Sequence, residues 1–146
     1  MKPGFDYTGI FAVFLCHDGQ GKFLMAKRGT RARDEQGMWE FGGGGIEFGE
    51  SPEEAVRREL MEEYNCRTIH NITALQPFSL VREQNDQQTH WIGFPFAIQI
   101  DPSEVHINEP ECVDSIGWFA LDELPEPLHS GVHRVISAYK TALRSD

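Results

Sequence analysis

An α/β fold, with a mixed β-sheet held between two helices, is predicted by three features of this 146-residue chain. Apolar runs rich in β-branched and aromatic residues occur at 8–16, 22–28 and 89–100, with the length and composition of strands. Two other segments, 51–64 and 130–143, repeat their apolar residues at helical spacing. Strands and helices alternate along the chain, a pattern that favours layers of helix and sheet packed on one another. No internal repeat, low-complexity segment or linker breaks the sequence, so residues 1–146 read as a single domain.

In chain order, residues 8–16 (TGIFAVFLC) are almost continuously apolar, which predicts a central strand covered on both faces. Residues 17–21 (HDGQG) are turn formers and 22–28 (KFLMAKR) a second strand, so the two are expected to form a hairpin. The polar loop 29–37 follows, with Arg28, Arg31 and Arg33 giving it basic character. Residues 72–83 read as a strand interrupted by Pro77, and 85–88 (NDQQ) as a turn. In the long aromatic strand 89–100 (THWIGFPFAIQI), Pro95 predicts an edge position or a bulge. A polar loop at 101–111 leads to a short strand at 114–119. Pro125 and Pro127 then bound a turn before a helix with Val132, Val135, Ile136, Tyr139 and Leu143 on its apolar face.

The chain is organised around residues 39–66, WEFGGGGIEFGESPEEAVRRELMEEYNC. Ser51 and Glu54 form an S-x-x-E capping box, and Pro52 suits the first helical turn. Val56, Leu60 and Tyr64 make an apolar stripe, while Glu59, Glu62 and Glu63 gather on one face beside the small Ala55. Like charges at this spacing cost about 0.2–0.5 kcal/mol per pair. A solvated acidic face is one reading of such a cluster. The other is a site for hard divalent cations, which take all-oxygen ligands. The run Gly42–Gly45 just ahead of the helix favours the second, because glycines let the backbone approach a ligand closely.

This stretch resembles the Nudix hydrolase box, G-x5-E-x7-R-E-U-x-E-E-x-G-U, where U is a bulky aliphatic residue. Gly44, Glu50, Arg58, Glu59, Leu60, Glu62 and Glu63 fall on seven of its nine fixed positions. Asn65 and Cys66 replace the last glycine and the last aliphatic residue. Asn65 can still take the left-handed conformation that ends a helix. Upstream, Phe41-Gly42-Gly43-Gly44 stands where the family usually has F-P-G-G.

The resemblance implies an α/β/α sandwich and hydrolysis of a nucleoside diphosphate linked to another moiety, with Mg2+ or Mn2+ as cofactor. It assigns Glu59, Glu62, Glu63 and the Gly43 carbonyl to the metal, and Arg58 to orienting the acids. Gly44 and Arg28 are expected at the substrate, Arg28 through its phosphate. Glu50 is expected to be structural. Members differ in their general base. Glu59 is the first candidate here and Glu109, in the loop 101–111, the second. The pattern His90-Trp91, then Glu109 to Cys112 and Trp118-Phe119, resembles members that act on small nucleoside triphosphates. Trp39, Trp91, Phe94 and Phe96 are expected in the core or a pocket wall. No asparagine stands near His129 and Ser130, where members that act on oxidised purines keep one, and Val81 stands where ADP-ribose specialists have proline. Dinucleotide, CoA-type or ADP-ribose-type substrates and a non-catalytic binding module are the alternatives.

Composition bounds the partners. A net charge of −10 disfavours non-specific nucleic-acid binding, so a small-molecule nucleotide is expected and no nucleic acid. No apolar run approaches the ~18 residues of a membrane span. The N-terminal MKPGFDYTGI lacks a secretory pattern, and three scattered cysteines fit reduced thiols. A cytoplasmic monomer or homodimer is the expectation. Six scattered histidines show no zinc-ligand spacing.

Overall fold

Strand β1 (Gly9–His17) runs parallel to β7 (Gln87–Ile100) along its whole length, from the pair Gly9 and Trp91 to the pair His17 and Gln99. The computed structural model describes residues 1–32, 34–84 and 86–144; Arg33, and Asn85 of the expected 85–88 turn, lie outside them. On the opposite edge β1 is shared. The glycine strand β4 (Gly43–Gly45) pairs with residues 11–13, and β2 (Phe23–Arg28) meets it at His17 and Phe23. The expected hairpin therefore closes at one pair and then opens. Beyond that point β2 is flanked by β3 (Trp39–Glu40) and β8 (Val113–Phe119). All pairings except β1 with β7 are antiparallel, so the sheet is mixed.

Pro95 lies in the middle of the sheet, not at an edge. β5 (Ile69–Ala74) pairs with β7 from Ile100 to Phe96, and β6 (Phe78–Gln84) pairs from Gly93 to Gln87. Pro95 falls where the partner changes from one to the other. Its carbonyl still accepts from the Leu75 N–H at 2.8 Å. A missing N–H costs a ladder nothing at a position where neither strand pairs.

The two faces of the sheet follow from alternation along β1 and β2. Ala12, Phe14, Cys16, Leu24 and Ala26 face helix α1 (Pro52–Tyr64), packing on its Val56, Leu60 and Tyr64. Val13, Leu15, Phe23 and Met25 face helix α2 (Val132–Arg144), packing on Val132, Val135 and Ile136. The result is the expected α/β/α sandwich. Ser51 and Glu54 form both halves of the capping box, and Asn65 ends α1 with φ of 54°. Of the tryptophans, Trp39 stacks edge-on against Phe119.

Leu60 is fully buried whereas Phe48, at the tip between β4 and α1, is fully exposed. Leu60→Ala is expected to cost about 2–5 kcal/mol, and Phe48→Ala to stay within about 0.5 kcal/mol. Denaturant midpoints of the two variants measure this, and equal midpoints would contradict the packing of α1.

Candidate active site

Arg58 is the hub of the acidic helix. Its Nε and Nη2 donate to the two oxygens of Glu50 at 2.7 and 2.9 Å, and Nη1 donates to Glu59 at 2.8 Å. Nη2 also reaches the Gly45 carbonyl at 3.0 Å, and Nη1 lies 3.4 Å from Glu62. One guanidinium thus ties the glycine strand, the helix entry and two acids of the helix face together. Its hydrogen bonds to Glu50 and Glu59 push Arg58 well above its ordinary pKa, and those bonds with the Glu47 N–H hold Glu50 at about 2.

The three helix acids sit at different depths. Glu63 is buried, Glu59 half-buried and Glu62 exposed. Burial pushes Glu63 well above the ordinary carboxylate range, and Glu40, Glu59 and Glu109 reinforce the rise, while the Gly43 N–H, donating at 3.2 Å, opposes it. Burial also raises Glu59, against the pull of Arg58. Among the described residues no basic side chain pairs with Glu63.

The contacts explain three of the four glycines, Gly42, Gly43 and Gly44. A Cβ on Gly43 would lie 2.1 Å from the Ala12 carbonyl oxygen, and one on Gly44 would lie 2.3 Å from Glu59 Oε1. Gly42 adopts a φ of 114°, which a proline cannot reach. The chain therefore departs from F-P-G-G with a different backbone path. It brings the strand directly against the acids.

Glu109 comes to the same face by a separate route. The Asn108 N–H and Nδ2 donate to the carbonyls of Glu63 and Glu62 at 3.0 and 2.9 Å, and the His106 N–H donates to the Tyr64 carbonyl. These are the carbonyls a helix end leaves without partners. Capping them pins the loop, and burial, Glu111 and Glu62 raise Glu109.

On the other side of the glycine strand lies a cavity of about 340 Å3. Gly42 to Gly45 form one wall. Phe11, Val13, Phe41, Phe78, Leu80, Trp91, Val132 and Val135 make it mostly apolar, and Arg28, Asp34, Glu40, Arg82 and His129 form its polar part. Trp91 thus lines the pocket, while Phe94 and Phe96 pack toward α1. Arg28 is at the cavity, but its donors are occupied. It holds both oxygens of Glu40 at 2.9 and 3.0 Å, and Asp34 at 2.8 Å through side chain and backbone. Arg31 is exposed.

Sequence reasoning missed Asp34, Glu35, Glu40, Arg82 and His129. Their meeting depends on β2 pairing with β3 and on the turn before α2, neither of which has a periodic signal. Asp34, Glu35 and His129 place ligand-type atoms within 4.8 Å of one another. Arg82 pairs with both Asp34 and Glu35, and Arg28 with Asp34, so this group is neutralised by cations of its own. In α1, Arg58 pairs with Glu59 and Glu62, but among the described residues no cation pairs with the buried Glu63, and this oxygen-only donor set fits a hard divalent ion.

This sandwich, with an arginine-organised acidic helix behind a glycine strand, defines a class of pyrophosphate-cleaving enzymes. Residues 7–139 match the NUDIX domain, and the chain belongs to that family. It is a hydrolase acting on pyrophosphate bonds. It is 31% identical over 137 residues to an RNA pyrophosphohydrolase of Bartonella bacilliformis, covering 80% of this chain and 79% of that one. A nucleoside triphosphatase NudI of an Enterobacter species is 41% identical over 59 residues, 40% of each chain. The crystal structure of a MutT NUDIX hydrolase from Burkholderia pseudomallei superposes with a TM-score of 0.77 at 27% identity, covering 89% of this chain and 96% of that one. Members of the family generally use divalent metals. No helix among the described residues is long and apolar enough to cross a membrane.

The raised carboxyls carry a sign. Glu59 and Glu63 hold protons more tightly folded than unfolded, so their stabilising contribution is complete below the unfolded value of about 4.3 and is lost as pH climbs through the folded values. In EDTA, the melting temperature is expected to fall as pH rises above the unfolded carboxylate value of about 4.3, and Glu63→Gln to flatten that fall. Parallel pH profiles for the two proteins would contradict the assignment.

Proposed function

We propose that this chain is a metal-dependent pyrophosphohydrolase whose substrate is a nucleoside triphosphate or a related small nucleotide. The observation that carries the reading is the glycine strand as a shared wall. The acids press on it from one side, and a cavity of about 340 Å3, near the lower end of the range for small-ligand pockets, opens on the other. A nucleoside in the cavity would place its phosphates along Gly43 and Gly44 toward α1.

Glu59, Glu62, Glu63 and the Gly43 carbonyl would hold Mg2+ or Mn2+, which supplies charge neutralisation of the phosphates and acidification of water. The remaining steps belong to the chain. Arg58 fixes Glu59 and Glu50 by the contacts above. Glu59, as carboxylate, accepts the proton of the attacking water, with Glu109 as the alternative. Water attacks one phosphorus, its bond to the bridging oxygen breaks, and that oxygen leaves with the other phosphate. Arg28 lies at the cavity and would serve an anionic ligand there only through a donor released from Glu40 or Asp34.

A second reading comes from the relatives. Several similar chains are named RNA pyrophosphohydrolase, and a 5′-triphosphorylated RNA end offers the same bond. The net charge of −10 works against holding a longer polyanion. Nucleoside triphosphates and a short 5′-triphosphorylated oligonucleotide, compared by kcat/KM with products identified, separate the two.

Millimolar Mg2+ is expected to raise the melting temperature at neutral pH by linkage, and EDTA to abolish turnover. Glu63→Gln should lower kcat by about 10²-fold or more. For the base, Glu59→Gln and Glu109→Gln are assayed across pH at saturating metal. The base variant loses most kcat and flattens the acidic limb, while a ligand variant is partly rescued by more metal. A larger, metal-resistant loss in Glu109→Gln would move the base to the loop.

A further inference from the structure

Glu59, Glu62 and Glu63 are placed by the turn of α1 itself, but Glu109 reaches the same face only through the loop between β7 and β8. On one side of Glu109 that loop is fastened to the end of α1 by Asn108. Its Nδ2 donates to the Glu62 carbonyl at 2.9 Å, and its backbone N–H donates to the Glu63 carbonyl at 3.0 Å. On the other side the Glu109 carbonyl accepts from the Cys112 and Val113 N–H groups, each at 3.0 Å. Cys112 is held in turn by the Gly29 N–H, which donates to its carbonyl at 2.8 Å. The backbone at Glu109 is therefore bracketed between helix and sheet.

The carboxylate it carries sits in unfavourable company. Glu111 and Glu62 act on it with the same charge, it acts likewise on Glu63, and among the described residues no cation is paired with it. The C-terminal end of α1 is also the negative pole of the helix. Loop residues are free to turn outward, so repulsion alone would carry this side chain to water. What opposes that turn on the helix side is a pair of neutral hydrogen bonds from Asn108, made to the backbone of two of the acids themselves. The side-chain bond is the part the sequence can remove, since Asn108→Ala keeps the backbone N–H on Glu63.

We propose that Asn108 is a positioning residue, whose side-chain amide holds the loop on the end of α1 and so keeps the Glu109 carboxylate facing the acids of that helix. This rests on the proposed activity, with Glu109 serving it as ligand or as base. The test is a double-mutant cycle of Asn108→Ala and Glu109→Gln, read in two ways. At saturating Mg2+ and with a nucleoside triphosphate, Asn108→Ala is expected to lower kcat about fivefold, the size of one lost hydrogen bond, with KM changed by less than about twofold. In the Glu109→Gln background the same change should cost nothing further. The second reading needs neither metal nor turnover. In EDTA at about pH 8, Glu109→Gln relieves repulsion and should raise the melting temperature by about 2 °C. With Asn108→Ala already present the gain should shrink to about half or less, because the released carboxylate has turned away. A shrunken gain in a protein that hydrolyses no nucleotide would refute the proposed activity and support this role. An equal loss of kcat in both backgrounds, or an equal gain in melting temperature, would overturn it, as would a Glu109→Gln variant unchanged in both readings.

Discussion

Two carboxylates, Glu59 and Glu63, are pressed against the glycine strand, with one guanidinium bound to Glu59, and much of the structure serves that arrangement. Arg58 cannot neutralise every acid around it. It binds Glu50 and Glu59 closely and reaches Glu62 only at 3.4 Å. Among the described residues Glu63 is left buried without a cationic partner, and burial raises its pKa. A fold keeps such a group only if something offsets the cost of its ionisation. In the proposed metal site a divalent ion would do so at neutral pH.

The glycine strand is where packing and chemistry meet. A side chain at Gly43 would collide with β1, and one at Gly44 with Glu59. Pairing with β1 fixes the strand's position, because β1 is itself locked to β7 over nine consecutive register pairs. The most rigid part of the sheet therefore sets the distance between the acids and the cavity. The loop carrying Glu109 is tied to the same helix through its terminal carbonyls, so the acids arrive from two segments on a common frame.

Much of this was legible in the sequence, for identifiable reasons. The capping box, the apolar stripe of α1 and the spacing of Arg58, Glu59, Glu62 and Glu63 are local, and local signals survive into the fold. The asparagine at the helix end also behaved as its chemistry predicts. Pro95 misled because an interior proline usually marks an edge, and here the gap between β5 and β6 removes the penalty. The glycine run carried no strand signal, since a strand of glycines has no alternating pattern to reveal it. The network of Asp34, Glu35, Glu40, Arg82 and His129 joins three segments distant in sequence, 34–40, 82 and 129. Only the tertiary fold brings them together beside one cavity, and no spacing rule could have done so.

The proposed metal site requires Glu63 to be ionised and to hold a divalent ion. Titration of Mn2+ into the nucleotide-free protein, with free Mn2+ followed by electron paramagnetic resonance, tests this most directly. Saturable binding to the wild type, lost or strongly weakened in Glu63→Gln and retained in Phe48→Ala, is the predicted result. Binding that is absent from the wild type, or equally strong in Glu63→Gln, would contradict it.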